Sequence, residues 1–289
     1  MGAPDPRDAL SLRAARCASK LRMRQLALLT LCLVSAVLKA QQLHAGGLSE
    51  LEVELTPELR ELAGGGGLSP VAHALVSIAV PADFNESVAW PVMIISATSD
   101  AKYNSSRRLL GVYADTALAR GWILVAADPE EPISVEEDDA TLRYVLNAAA
   151  LAALQLQWPG AGKAPLAFGG FSGGSKYSGW LAAAFASQGR VIMGVYLAGI
   201  NQNTLLSGAR QFKVLDEAFR DIPVFLQSGE KDEVSTPADH RGVRDELRRA
   251  GFKNIRIEYF SGGHVSDARL LGTALDWFRE IAARSAKIK

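Results

Sequence analysis

One serine in this sequence is framed for nucleophilic work. Ser172 stands in Gly169-Gly170-Phe171-Ser172-Gly173-Gly174, that is, as Gly170-x-Ser172-x-Gly174. An apolar run (Leu166, Ala167, Phe168) leads in, and a run of small residues follows, with Trp180, Leu181, Ala184 and Phe185 at helical spacing. The pattern predicts a strand, a tight turn and a helix, with the serine at the apex. So sharp a turn strains the apical backbone and brings the flanking residues within clashing distance, and glycine removes the side chains that would collide. The hydroxyl is then held clear of the sheet, with a helix start behind it that favours developing negative charge. A phosphate loop is excluded by order. Gly169-x4-Gly174 is followed by Ser175-Lys176, the reverse of the Lys-Ser/Thr pair such a loop needs.

A serine hydroxyl is a poor nucleophile until a base takes its proton, and the base must itself be oriented by an acid. Two downstream loops supply candidates. Ser228-Gly229-Glu230-Lys231-Asp232-Glu233-Val234 follows one apolar run, and Ser261-Gly262-Gly263-His264-Val265 follows another. Asp232 lies 60 residues after Ser172, and His264 lies 32 further on. The order serine, acid, histidine, each beyond a strand end, is that of serine hydrolysis on an open α/β sheet. His264 is therefore assigned as base and Asp232 as its orienting acid, with Glu230 and Glu233 as alternatives to Asp232. Asp239 is assigned to the start of the next helix, and His73 and His240 are read as structural or exposed. No His/acid spacing resembles a metal site, and no cofactor is called for.

The elements that must position these residues alternate along the chain. Strands are expected over Ala74–Val80, Pro91–Ser96, Trp122–Ala127, Val191–Ala198, Pro223–Gln227 and Ile255–Phe260. Helices are expected over Ser105–Arg120, Asp139–Leu156, Ala238–Ala250 and Asp267–Ala283, with loop and helix over Leu205–Arg220. Short apolar strands alternating with helices imply a mostly parallel sheet covered on both faces, whose working side lies at the carboxyl ends of the strands. The fold class is thus α/β in a single domain without a large lid. Residues 47–63 read as a preface, with a helix capped by Thr56 and started by Pro57, and Gly64–Gly67 as a linker. The division is 41–69 for preface and linker and 70–289 for the main domain.

On these motifs, residues 70–284 resemble the α/β-hydrolase superfamily. The resemblance is carried by Gly170-Phe171-Ser172-Gly173-Gly174, by Gly229-x-x-Asp232 and by Gly262-Gly263-His264. The lidless body and the start at Val76–Pro81 are similar to secreted esterases related to polyhydroxyalkanoate depolymerases and dienelactone hydrolases. The resemblance implies cleavage of a small-molecule or polymeric ester through an acyl-enzyme, with Ser172, His264 and Asp232 as triad and two backbone amides for the oxyanion. The sequence departs in one place. Many relatives follow the strand equivalent to Val92–Ile95 with His-Gly, whose following residue donates one of those amides. Here the strand runs into Ser96-Ala97-Thr98-Ser99-Asp100. With Ser96-Ala97 in that place, the donors become Thr98 and Gly173. The departure is the one feature favouring a non-catalytic binding protein of this fold. A serine peptidase or acyltransferase is the alternative within catalysis. Tyr103, just past the oxyanion segment, and Asn201, after a buried strand, are candidate substrate contacts, with Asn201 equally a polar-loop residue. Arg107 and Arg108 read as a solvated helix start.

Charge and cysteine usage narrow the setting. Net formal charge is zero, but residues 1–40 hold seven Lys/Arg against two Asp, which leaves 24 basic and 29 acidic residues in the remainder. A mildly acidic body argues against a nucleic-acid partner. Leu26–Leu38 is uninterrupted by charge, follows Arg22 and Arg24, and leads into Ala40-Gln41-Gln42. That is the layout of a secretory signal, and thirteen apolar residues are short for a bilayer span. Residues 1–40 are therefore expected to be a signal peptide, with Met23 as the expected start, an uncleaved anchor as the alternative, and a periplasmic or secreted product without a stable membrane partner. Cys17 and Cys32 are the only cysteines, so the exported body would carry neither disulfide nor thiol chemistry.

Overall fold

The strand sequences carry apolar side chains on both faces, and both faces of the sheet are covered. The computed structural model describes residues 43–64, 67–98, 104–131 and 139–288. The expected signal segment and Tyr103 lie outside the described residues. Eight strands, β1 (Leu48–Glu54), β2 (His73–Ala79), β3 (Val92–Ser96), β4 (Ile123–Pro129), β5 (Leu166–Phe171), β6 (Ile192–Ala198), β7 (Val224–Gly229) and β8 (Ile255–Phe260), form one sheet in the order β1-β2-β4-β3-β5-β6-β7-β8. β1 and β2 run antiparallel to their neighbours, and β4 through β8 are parallel.

Eight helices accompany the strands among the described residues: α1 (Pro57–Ala63), α2 (Ser106–Leu118), α3 (Ala140–Gln157), α4 (Gly173–Ala186), α5 (Thr204–Gln211), α6 (Glu217–Arg220), α7 (Pro237–Arg249) and α8 (Ala268–Ile288). Side chains on a strand alternate between faces, which divides the core in two. Val92 and Ile94 of β3, Ile123 and Val125 of β4, and Leu166 and Phe168 of β5 join Leu146, Leu181 and Leu247 of α3, α4 and α7. Met93, Ile95, Leu124 and Ala167 point the other way, to Leu110 and Tyr113 of α2 and Leu275 and Phe278 of α8. The single-domain α/β expectation with helices on both faces therefore holds.

The preface is more than a lead-in. β1 pairs with β2 along its whole length, from Leu48 opposite Ala79 to Glu54 opposite His73, so the sheet begins before the glycine run. Its Leu51 and Val53 are buried while Glu50, Glu52 and Glu54 are exposed. That period of two was legible as an edge strand, and charges on the outer face suit an edge that must not pair further. Thr56 caps α1 by accepting the Leu59 N–H at 3.4 Å, with Pro57 in the first turn.

Candidate active site

The turn between β5 and α4 is as tight as its glycines require. Ser172 sits at φ 56° and ψ −120°, a left-handed conformation costly for a residue with a Cβ. A Cβ on Gly170 would stand 2.4 Å from the Gly174 carbonyl carbon, and one on Gly174 would stand 1.9 Å from the Ser96 oxygen. Only glycine fits at either place, and β3 itself is what the turn packs against. The Ser172 N–H donates to the Ala198 carbonyl at 2.8 Å. Ser175, fully buried, has its hydroxyl 2.7 Å from the Gly170 carbonyl and 2.6 Å from that of Ala198, which ties both arms of the turn to β6. Ser172 makes no capping bond to α4 through its side chain.

The acid and histidine loops meet at the carboxyl ends of β7 and β8. His264 Nδ1 lies 2.8 Å from Asp232 Oδ2. The other carboxylate oxygen accepts the N–H groups of Val234 at 2.9 Å and Ser235 at 2.8 Å. Asp232 is buried at 4% exposure while Glu230 and Glu233 are exposed, so of the three acids it is Asp232 that reaches the ring. A carboxylate accepts only; Nδ1 therefore carries the proton, and Nε2 is left basic. The loops hold each other through backbone: Glu230 N–H donates to Phe260 O at 2.9 Å and Lys231 N–H to Gly262 O at 2.8 Å. Gln227, buried at the end of β7, donates to Val265 O at 3.0 Å and accepts from the Asp267 N–H at 3.1 Å, which pins the stretch after His264.

The residue before Ser172 and the loop after β6 both reach the His264 ring. The Phe171 and His264 rings lie 4.6 Å apart, and a Cβ on Gly199, the residue after Ala198, would stand 3.1 Å from His264 Cε1. On the opposite side of Ser172, a Cβ on Gly173 would stand 2.5 Å from Thr98 Oγ1 and 3.3 Å from Thr98 Cα. The two residues expected to supply the amides thus adjoin. Gly173 is the first residue of α4, where an N–H has no partner within the helix.

The remaining sequence assignments fall away from the chemistry or support it. Asn201 is half-buried and donates to Val234 O at 3.3 Å, beside the acid loop. Asp239 closes a capping box with Thr236 at the start of α7. Arg107 and Arg108 are exposed, and Arg107 pairs with Glu50. His73 lies 3.6 Å from both Glu52 and Glu130, at the antiparallel edge. His240 is structural and fully buried: its Nε2 accepts the Ile200 N–H at 3.2 Å, and Nδ1 faces the Thr236 carbonyl at 3.0 Å. Burial drives its pKa below the ordinary 6.5. Among the described residues, no group of three or more His, Cys, Asp and Glu could hold a metal.

The architecture is that of the α/β-hydrolase fold. Solved structures that share it include a lidless α/β serine hydrolase from Xanthomonas campestris (16% identity, 80% of this chain and 93% of that one, TM-score 0.52). A dienelactone hydrolase from Anabaena variabilis aligns over 81% of this chain and 98% of its own (13% identity, TM-score 0.51). The acylaminoacyl peptidase of Pyrococcus horikoshii aligns over 82% of this chain but 42% of its own (11% identity, TM-score 0.55). No protein-family model matches the sequence, and no curated protein does.

Proposed function

We propose that this protein is an exported serine hydrolase of carboxylic esters. Ser172 attacks the ester carbonyl while His264 Nε2 takes the hydroxyl proton. Asp232 holds the ring and stabilises the imidazolium. The Gly173 and Thr98 amides receive the oxyanion, and His264 returns the proton to the departing alcohol. Water, activated by the same histidine, then releases the acid. The observation that carries the reading is the 2.8 Å His264–Asp232 contact, made by a carboxylate already fixed by two backbone amides, beside a serine at φ 56°. Five residues, 199–203, separate β6 from α5. Such short connections favour an open site for soluble or polymeric esters. Export is proposed on the Arg22–Gln42 segment alone.

The test is fluorophosphonate labelling of residues 41–289 and of its Ser172→Ala variant, with short p-nitrophenyl esters as substrates. Labelling and turnover are expected in the parent, with turnover lower in the variant by about 10³-fold or more. A folded parent that neither labels nor turns over would overturn the proposal and favour a binding protein.

A further inference from the structure

The Gly173 amide is positioned by its own helix, whereas Thr98 lies two residues beyond the end of β3 at Ser96. Ala97, the residue between Ser96 and Thr98, is held from outside the strand. The Ala97 N–H donates to the Ser106 hydroxyl oxygen at 3.2 Å. Ser106 opens α2 and is buried at 1% exposure, and its own N–H donates to Asp128 Oδ1 at 2.8 Å. Asp128, at the end of β4, also accepts the Arg107 N–H at 3.1 Å and the Ser105 hydroxyl at 3.3 Å. Behind them Arg143 of α3, 2% exposed, places Nη1 3.3 Å from both Ser106 Oγ and Asp128 Oδ1. Its guanidinium lies 5.5 Å from the centre of the Tyr177 ring on α4. One cluster, buried at Ser106 and Arg143, thus joins the end of β3, the start of α2, the end of β4, α3 and the helix that begins beside Ser172.

We propose that Ser106, backed by the Arg143–Asp128 pair, is the positioning group for the Thr98 oxyanion donor; this rests on the reading of Ser172 as nucleophile. Three physical points carry it. Taking the Arg143 guanidinium out of water costs desolvation that its pairing with the partly exposed Asp128 offsets only in part, so the pair is a weak stabilising device and we assign it to fixing geometry. A single guanidinium nitrogen, Nη1, faces the serine and the aspartate together, held on a rigid planar group that the flexible stem of a lysine does not reproduce. Finally, the hydroxyl it braces accepts the N–H of the residue directly before the donor, so any shift in Ser106 passes to Thr98 through one peptide unit.

The test uses Ser106→Ala, Arg143→Met and Arg143→Lys in the same chain. Activity is normalised to the number of Ser172 sites titrated by fluorophosphonate. With p-nitrophenyl butyrate, Ser106→Ala is expected to lower kcat per titrated site about tenfold or more, less than deleting a donor outright, with KM close to the parent's. Inhibition by a short-chain trifluoromethyl ketone, whose serine adduct carries an oxyanion, should weaken by the same factor. The shape of the pH–rate profile should not change, because the histidine flank is untouched. Arg143→Met should act in the same direction and Arg143→Lys should recover part of the loss. Unchanged kcat per site, with only fewer titratable sites, would reduce the cluster to a structural role and overturn the proposal. Should Arg143→Met fail to fold, Ser106→Ala, which deletes a single oxygen, decides alone. A parent that neither labels nor hydrolyses overturns the serine-hydrolase reading and this proposal with it, whereas an active parent with an unchanged Ser106→Ala overturns the positioning role alone.

Discussion

The two flanks of Ser172 are built from different materials. On the histidine flank, position is set largely by backbone: β7 and β8 deliver two loops that hydrogen-bond through Glu230, Lys231, Phe260 and Gly262. A Cβ on Gly229 would stand 2.4 Å from the Gly263 oxygen, so glycine is what lets the loops touch. On the proposed oxyanion flank, β3 ends at Ser96 and side chains hold the next residue: a serine hydroxyl, an aspartate and an arginine drawn from α2, β4 and α3. A flank built of backbone fails when atoms are added to it. One built of side chains fails when atoms are removed.

The largest effect expected on the histidine flank comes from Asp232→Asn, which alters a proton without altering shape. Asparagine can keep its oxygen on the Val234 and Ser235 amides, but it then offers an NH2 to His264 Nδ1. That fixes the opposite tautomer and puts the ring proton on Nε2, where the serine proton must go. A fall of about 10⁴-fold in kcat at neutral pH is expected, by analogy with the same change in a serine protease, with the melting temperature nearly unchanged. Retention of activity within tenfold would mean that another group orients the histidine.

A smaller loss should follow from adding one methyl group, in Gly199→Ala. Gly199 has φ 61°, and its Cβ would stand 2.9 Å from Phe171 Cε2 and 3.1 Å from His264 Cε1. The left-handed backbone alone costs an alanine about 1–2 kcal/mol. Displacing the ring should lower kcat about tenfold to a hundredfold, as misplacements well below a bond length suffice to do. Stability and activity should fall together, as measured by thermal melts and ester turnover. Activity retained at a lowered melting temperature would show that His264 can yield without penalty, and the backbone description of this flank would have to be given up.

The same division explains what could be read from the sequence. Gly170, Ser172 and Gly174 announce the turn because backbone collisions leave a residue-type signature within five positions. Asp232 and His264 are legible for a similar reason, each being tied by glycines to a strand end. β1 was misread as a preface although Leu51 and Val53 alternate with three glutamates, because the glycine run that follows suggested a boundary there. Ser175 carries no signal of its own, since a serine in a helix start is ordinary until its two carbonyl contacts are seen. The Ser106–Arg143–Asp128 cluster was beyond reach: the three residues are scattered over nearly forty positions, and only the fold makes them neighbours.

The histidine flank also has side-chain braces, Gln227 and His240, and the second should respond to acid. His240 links the Ile200 N–H, next to Gly199, with the Thr236 carbonyl beyond the Asp232 loop. Burial lowers its pKa, the strongest influence on it, while the Thr236 carbonyl and the charges of Asp232 and Asp239 pull the other way. With the folded-state pKa below the ordinary 6.5, the unfolded chain binds more protons in the interval between the two values. The contribution is therefore complete above pH 6.5 and is lost as pH falls through the folded-state value. The parent should melt lower at pH 5.0 than at pH 7.5, and His240→Gln, which can still accept the Ile200 N–H, should flatten that slope. The difference should be only a few degrees, since about 1 kcal/mol moves the melting point of a chain this long by roughly 2–4 °C. Equal slopes in parent and variant would show that His240 does not charge before the protein unfolds. The brace would then be as indifferent to pH as the backbone around it.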